Sequence, residues 1–332
     1  MNRARRMLRR VALLSLALHV GCGGSGPYEQ TYLRASDNWT FRARYPEAEH
    51  LFNGFDYGHA ILSETLVRYP EDGAKRLEGP VYRRLTCDVL RHPPSVPLEE
   101  RAVGPTYARD YPEAVATFAW AHLLHRQVYD IIAAYPLAAD ERERRVREAL
   151  RYYRSRPDLA LSGLPKSMTL MEGQPYSLSF RRAAPKFNGL IWSYHWLQMA
   201  LYDALLDAPD TPTRRATVSR DVELFRRMTF EDGRYAPTAM PMAPAIAPTF
   251  TRHYPELAAI FDNLHSLHDV VSDVLASRAV PDGDKRAAIL LAISRYRDTT
   301  SFITSQEAWL SMSTEMGAVD TTKLITAVSS CR

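Results

Sequence analysis

The chain has 332 residues, with 42 Lys plus Arg against 38 Asp plus Glu, 10 His and 3 Cys, and a formal net charge of +4. Its 46% hydrophobic and 24% charged residues, with 15 Gly and 22 Pro, exclude collagen-like, low-complexity and fully disordered classes. Three cysteines are too few for a disulfide scaffold or a thiolate zinc site.

Residues 1–21 read as a targeting segment: Arg3, Arg5, Arg6, Arg9 and Arg10 lead into an apolar run over 11–18, followed by Gly21 and Cys22. The run is too short to span a bilayer as a mature helix. The arrangement resembles a bacterial lipoprotein signal, with His19 standing where such signals carry Leu. The resemblance implies export, lipidation of Cys22 and anchorage to a lipid bilayer facing the periplasm or cell surface; ordinary secretion is the alternative. The pairs Arg5-Arg6 and Arg9-Arg10 are compatible with a twin-arginine route. Removing 1–21 takes five basic and no acidic groups, leaving 37 against 38, a net charge of −1, so nucleic acid is not an expected partner. Residues 22–44 form a tether and N-terminal segment, and 45–332 a single helical domain. In an oxidising compartment Cys87 and Cys331 are candidates for a bridge that pins the C-terminal tail.

Helical patterns dominate the remainder, and the chain resembles itself. Residues 111–132 and 254–275 agree at ten of 22 positions without a gap. Further copies start at Tyr45 and Ala184, so units begin at 45, 111, 184 and 254. Proline at the second position of each suits the first turn of a helix, and Glu47, Glu113 and Glu256 at the third position of three copies favour the positive end of its dipole. Amphipathic, mostly Arg-rich segments follow at 81–91, 141–154, 213–228 and 285–297. The predicted fold is all-α: four helical hairpins of about 70 residues, their inner helices bundled around a His-rich interior. Long stretches at 156–185 and 230–252 are expected to be loops.

Counting the first residue of each copy as zero, positions 7, 11, 14, 18 and 21 share one helical face at 100° per residue. Positions 11 and 14 carry Asp56, His59, His122, His125, His195, Gln198, His265 and His268 on that otherwise apolar stripe. Six histidines in eight slots compares with less than one at a typical frequency of roughly 2–3%. Residues at i and i+3 project side by side, as do the Glu-x-x-His pairs of di-iron carboxylate bundles, an architectural analogy only. These eight residues are therefore the candidate ligands of a transition metal, iron or copper favoured and zinc permitted, singly or as a pair. Gln198 is the weakest donor among them. Haem ranks behind, there being no C-x-x-C-H attachment motif.

Position 19 carries Glu64, Asp130, Asp203 and Asp273, off the ligand face. They are candidates to orient a histidine on a neighbouring helix; a salt bridge to an outer-helix Arg is the favoured competing expectation. Tyr129 and Tyr202 at position 18 face inward and are the candidate catalytic residues, as proton donors or radical carriers; packing with a bonded hydroxyl is the competing expectation. The functional expectation is an exported metal-binding protein, in its most specific form an iron or copper oxidoreductase acting on oxygen or peroxide, with the substrate undefined. The competing expectations are a non-catalytic metal- or ligand-binding lipoprotein and a structural surface lipoprotein whose buried histidine layer sets helix register.

Overall fold

Proline placement organises the architecture. In the computed structural model, which describes residues 31–208, 210–317, 319–329 and 331, every long central helix begins on a proline. The chain divides into a unit over residues 1–32 and one over 33–332, and every described helix belongs to the second. The expected signal, tether start and Cys22 lie outside the described residues.

Four short helices each run into a long one: α1 (Thr40–Arg44) into α2 (Pro46–Arg68), α3 (Pro105–Asp110) into α4 (Pro112–Ala133), α6 (Ser179–Ala183) into α7 (Pro185–Leu206), and α9 (Pro248–His253) into α10 (Pro255–Ala276). The joints are Tyr45, Tyr111, Ala184 and Tyr254, with φ from −130° to −138° and ψ from 51° to 59°. A residue before proline is pushed out of the helical region, and proline at the first helical position lacks an N–H that would go unpaired there. Each joint thus bends the chain without costing an intrahelical bond.

Long helices are followed by outer ones: α5 (Ala139–Arg154) packs on α4, α8 (Thr211–Met228) on α7 and α11 (Asp282–Arg297) on α10. The segment after α2 differs from the expected helix at 81–91. Residues 73–89 alternate α-helical turns with wider π turns at Leu77–Val81 and Leu85–Val89, and Pro80 sits inside the first π turn. Proline has no N–H to donate and its ring crowds the preceding carbonyls, so the coil widens there. The expected loops at 156–185 and 230–252 contain short helices and bury Leu170, Met171, Phe180, Met242 and Phe250. The last α-helix, α12 (Gln306–Met316), is locked by the Trp309 indole donating to Asp262 at 2.8 Å. The described residues are all-α; their lone strand-like pairing is an isolated bridge between Lys166 and Ile303.

The position-19 carboxylates do something other than either expectation. Glu64 on α2 accepts from the backbone N–H groups of Thr106 and Tyr107 at the start of α3 (both 2.9 Å). Asp130 on α4 accepts from those of Trp39 and Phe41 at α1 (2.9 and 2.8 Å). Asp203 on α7 accepts from those of Thr249 and Phe250 at α9 (3.0 and 2.8 Å), and Asp273 on α10 from those of Leu178 and Phe180 at α6 (both 2.8 Å). Each acid near the end of one long helix therefore caps the lead-in of another, α2 with α4 and α7 with α10, reciprocally. Reciprocal capping requires the two members of each pair to run antiparallel. Orphan N–H groups at a helix start favour an anion, which explains why all four positions are acidic. Glu64, Asp130, Asp203 and Asp273 accordingly do not orient imidazoles. Nor do they pair with outer-helix arginines: the Arg181 guanidinium that meets Asp273 at 2.7 Å lies in lead-in helix α6.

Cys87 and Cys331 form a disulfide, with Cα atoms 5.5 Å apart. Arg91 reinforces that attachment by donating to the Ser329 hydroxyl at 3.0 Å and the Cys331 carbonyl at 3.3 Å. Among the described residues, no helix is long and apolar enough to cross a membrane.

Candidate metal centre

The four long helices meet through their histidine faces. His59 on α2, His195 on α7 and His268 on α10 are buried, and one nitrogen from each lies within 4.8 Å of the others. Ring centres are 4.0 Å apart for His59 and His268, and 5.7 Å apart for His195 with either. Phe55 closes one side, 3.9 Å from His59, and Phe118 another, 4.1 Å from His268. Trp120 and Trp192, by contrast, donate to the Tyr153 carbonyl and to the buried Asp269.

Both nitrogens of His59, His195 and His268 are buried without a hydrogen-bond partner among the described residues. A buried polar group left unpaired costs roughly 1–3 kcal/mol, and most buried polar groups in native interiors have a partner. Burial drives all three pKa values well below the ordinary histidine value, and neighbouring imidazoles push the same way. The rings are therefore neutral near pH 7, and a neutral imidazole offers the lone pair that a metal ion requires. The residues present fit such an ion: three nitrogen donors on three helices, flanked by Phe55 and Phe118.

The remaining candidates fall into two groups. His122 lies next to the trio, 5.3 Å from His268 and 6.0 Å from His59 between ring centres. Burial lowers its pKa, and Asp56 acts against that shift. Asp56 gives its carboxylate to Arg126 at 2.6 Å and stands 4.0 Å from His122 Nδ1. Arg126 also binds Glu49 at 2.8 Å and Asn53 at 3.1 Å. Asp56 is thus not in the ligand trio, because a guanidinium holds it.

On the other side, the His265 ring stacks on that of His195 at 3.9 Å. Its Nε2 bonds to the Gln198 side-chain oxygen at 3.1 Å, which accepts only, so the hydrogen sits on Nε2. Burial pushes His265 down to about 3. Gln198 is spent on that bond and on the hydroxyl of Tyr129, which donates to its backbone carbonyl. His125 Nδ1 bonds to the Tyr202 hydroxyl at 2.8 Å. Gln198, His125 and His265 therefore form a hydrogen-bonded layer beside the trio. Tyr129 and Tyr202 belong to the same layer, rings stacked at 4.3 Å and 5°, and neither hydroxyl faces the three histidines.

Arg126 and Phe55 were not anticipated as parts of this region. Phe118 occupies the apolar position 7 of its unit, so its place on the inner face is written in the spacing. Arg126 carries no such signal, because it matters only through acids some 70 residues away. The chain matches no protein-family model, no curated protein and no solved structure.

Proposed function

We propose that this is a metal-binding protein whose ion is held by His59, His195 and His268. The observation that carries the reading is the convergence of three neutral, buried imidazoles with all six nitrogens unpaired among the described residues. A hydrogen-bonded register layer pairs at least one nitrogen of each ring, as the neighbouring His265 and His125 do through Gln198 and Tyr202, whereas the trio pairs none among the described residues.

An imidazole-only donor set suits copper, zinc, iron or nickel, whereas non-haem iron oxygenases pair two histidines with a carboxylate. The nearby carboxylate, Asp56, is bound to Arg126. Copper is therefore favoured over iron, with zinc permitted by the same donors, and haem has no attachment motif to support it. Redox chemistry is the activity class that a copper ion here would support. The N-terminal pattern of residues 1–22 supports export and anchorage at Cys22 on a lipid bilayer. Mass spectrometry of the mature N-terminus tests that part: a diacylglyceryl-modified Cys22 is the expected result, and an intact residue 1–21 segment contradicts it.

Metal binding is tested by titrating the metal-free protein with copper(I) and zinc(II) against a chromogenic chelator. The expected result is one tightly bound copper ion per chain, with His268→Ala weakening it by more than the roughly 10–100-fold typical of outer groups. Equal retention by His268→Ala and the native chain would refute the assignment.

A further inference from the structure

Three protein ligands leave one position of a tetrahedral ion to be filled. Resting on the three-histidine reading, we propose that His122 fills that position and that Asp56 is the residue that positions it.

His122 comes from α4, the one long helix that contributes nothing to the trio, and it occupies there the same register position that His195 occupies on α7. Four imidazoles bound tetrahedrally through bonds of about 2.0–2.1 Å set their ring centres about 5 Å apart. The His122 ring stands 5.3 Å from His268 and 6.0 Å from His59, and the trio's own separations run from 4.0 to 5.7 Å, on either side of that value. His122 Nε2 is buried and has no hydrogen-bond partner among the described residues, so its lone pair is uncommitted. Its other nitrogen, Nδ1, faces the Asp56 carboxylate at 4.0 Å. A carboxylate on the far nitrogen of a ligating histidine fixes ring orientation and raises ligand basicity. Asp56 is itself held by Arg126 at 2.6 Å, and Arg126 is anchored by Glu49 and Asn53. His125 and His265 are each anchored by one nitrogen in the adjoining layer, though their second nitrogens are also unpaired among the described residues; what distinguishes His122 is the Asp56 carboxylate beside its far nitrogen.

Solvent access points to the same side. The His122 and Asp56 side chains are 12% and 17% exposed, whereas His195 and His265 are fully enclosed. A cation entering the cluster there meets the acid first and His122 next, so the last ligand to close is the one at the door.

Electron paramagnetic resonance of the copper(II)-loaded full chain counts nitrogen donors through superhyperfine splitting. The native chain is expected to show four, and His122→Ala three with about 10–100-fold weaker binding. Asp56→Asn is expected to keep four nitrogens but bind about tenfold more weakly, with Asp56→Glu restoring affinity. A native spectrum with three nitrogens overturns the fourth ligand and leaves the trio standing. A His122→Ala protein with native splitting and affinity does the same, and His122→Gln serves if the alanine variant fails to fold. A native chain that takes up no copper overturns the three-histidine reading itself.

Discussion

Every neutral imidazole carries a hydrogen on one nitrogen and a lone pair on the other, and His59, His195 and His268 leave both unpaired among the described residues of the interior. At roughly 1–3 kcal/mol for each buried unmet group, the metal-free protein carries a penalty that an ion partly relieves. Replacing such a side chain with an apolar one of similar volume should therefore not destabilise the metal-free fold. His59→Leu is expected to hold or raise the thermal midpoint of the metal-free protein while abolishing the rise that metal produces in the native chain. A fall of several degrees in the metal-free variant would mean the imidazole is structurally satisfied, contrary to the account. At this scale the sequence was informative about which histidines share a face, since 100° per residue places positions 11 and 14 together. It was silent on which nitrogens are committed. The bond between Gln198 and His265 and that between Tyr202 and His125 join residues 67 and 77 positions apart, and no local pattern encodes them.

Among the elements, the four carboxylate caps are the most economical device in the fold. Each satisfies two orphan N–H groups of a lead-in helix only five or six residues long, too short to hold its shape alone. Losing an N-cap costs about 0.5–2 kcal/mol, and an acceptor serving two donors lies at the upper end, although burial pushes Asp130 up to about 7. Asp130→Ala is expected to lower unfolding free energy by about 2 kcal/mol, read as a shift of the denaturation midpoint. Amide exchange should quicken at Trp39 and Phe41. An unchanged midpoint, or faster exchange spread evenly over the chain, would argue against the capping role. These caps were not legible beforehand because each bond spans 42 to 95 residues, and the lead-in helices are too short to show a period. The repeated acid was visible; its partner was not. The π turns over residues 77–89 escaped for a related reason: Pro80 announces a disturbance, but whether the coil breaks or widens depends on packing.

For the whole molecule, the Cys87–Cys331 bridge closes a loop with a sequence separation of 244, which by chain entropy alone corresponds to about 5.5 kcal/mol. The segment it secures is otherwise held by a few bonds, among them Arg227 donating to the carbonyls of Leu324 and Ile325. Reduction is expected to expose residues 319–329 to limited proteolysis while leaving metal content unchanged, because none of these contacts reaches the histidines. Loss of metal on reduction would show that the tail and the cluster are coupled. The all-α class was legible from periodicity and from the recurring proline starts, whereas the pairing of long helices became clear only through the reciprocal caps.

The most direct test of the central claim is the metal content of the full chain purified from its native compartment, measured by elemental analysis beside a His59→Ala, His195→Ala, His268→Ala triple variant and a control, His50→Ala, at a histidine outside positions 11 and 14 of its unit. About one transition-metal ion per chain, with copper leading, is expected in the native protein and the control, and essentially none in the triple variant. Less than about 0.2 ion per native chain, with no uptake on reconstitution, or the same content in the triple variant, would contradict the account.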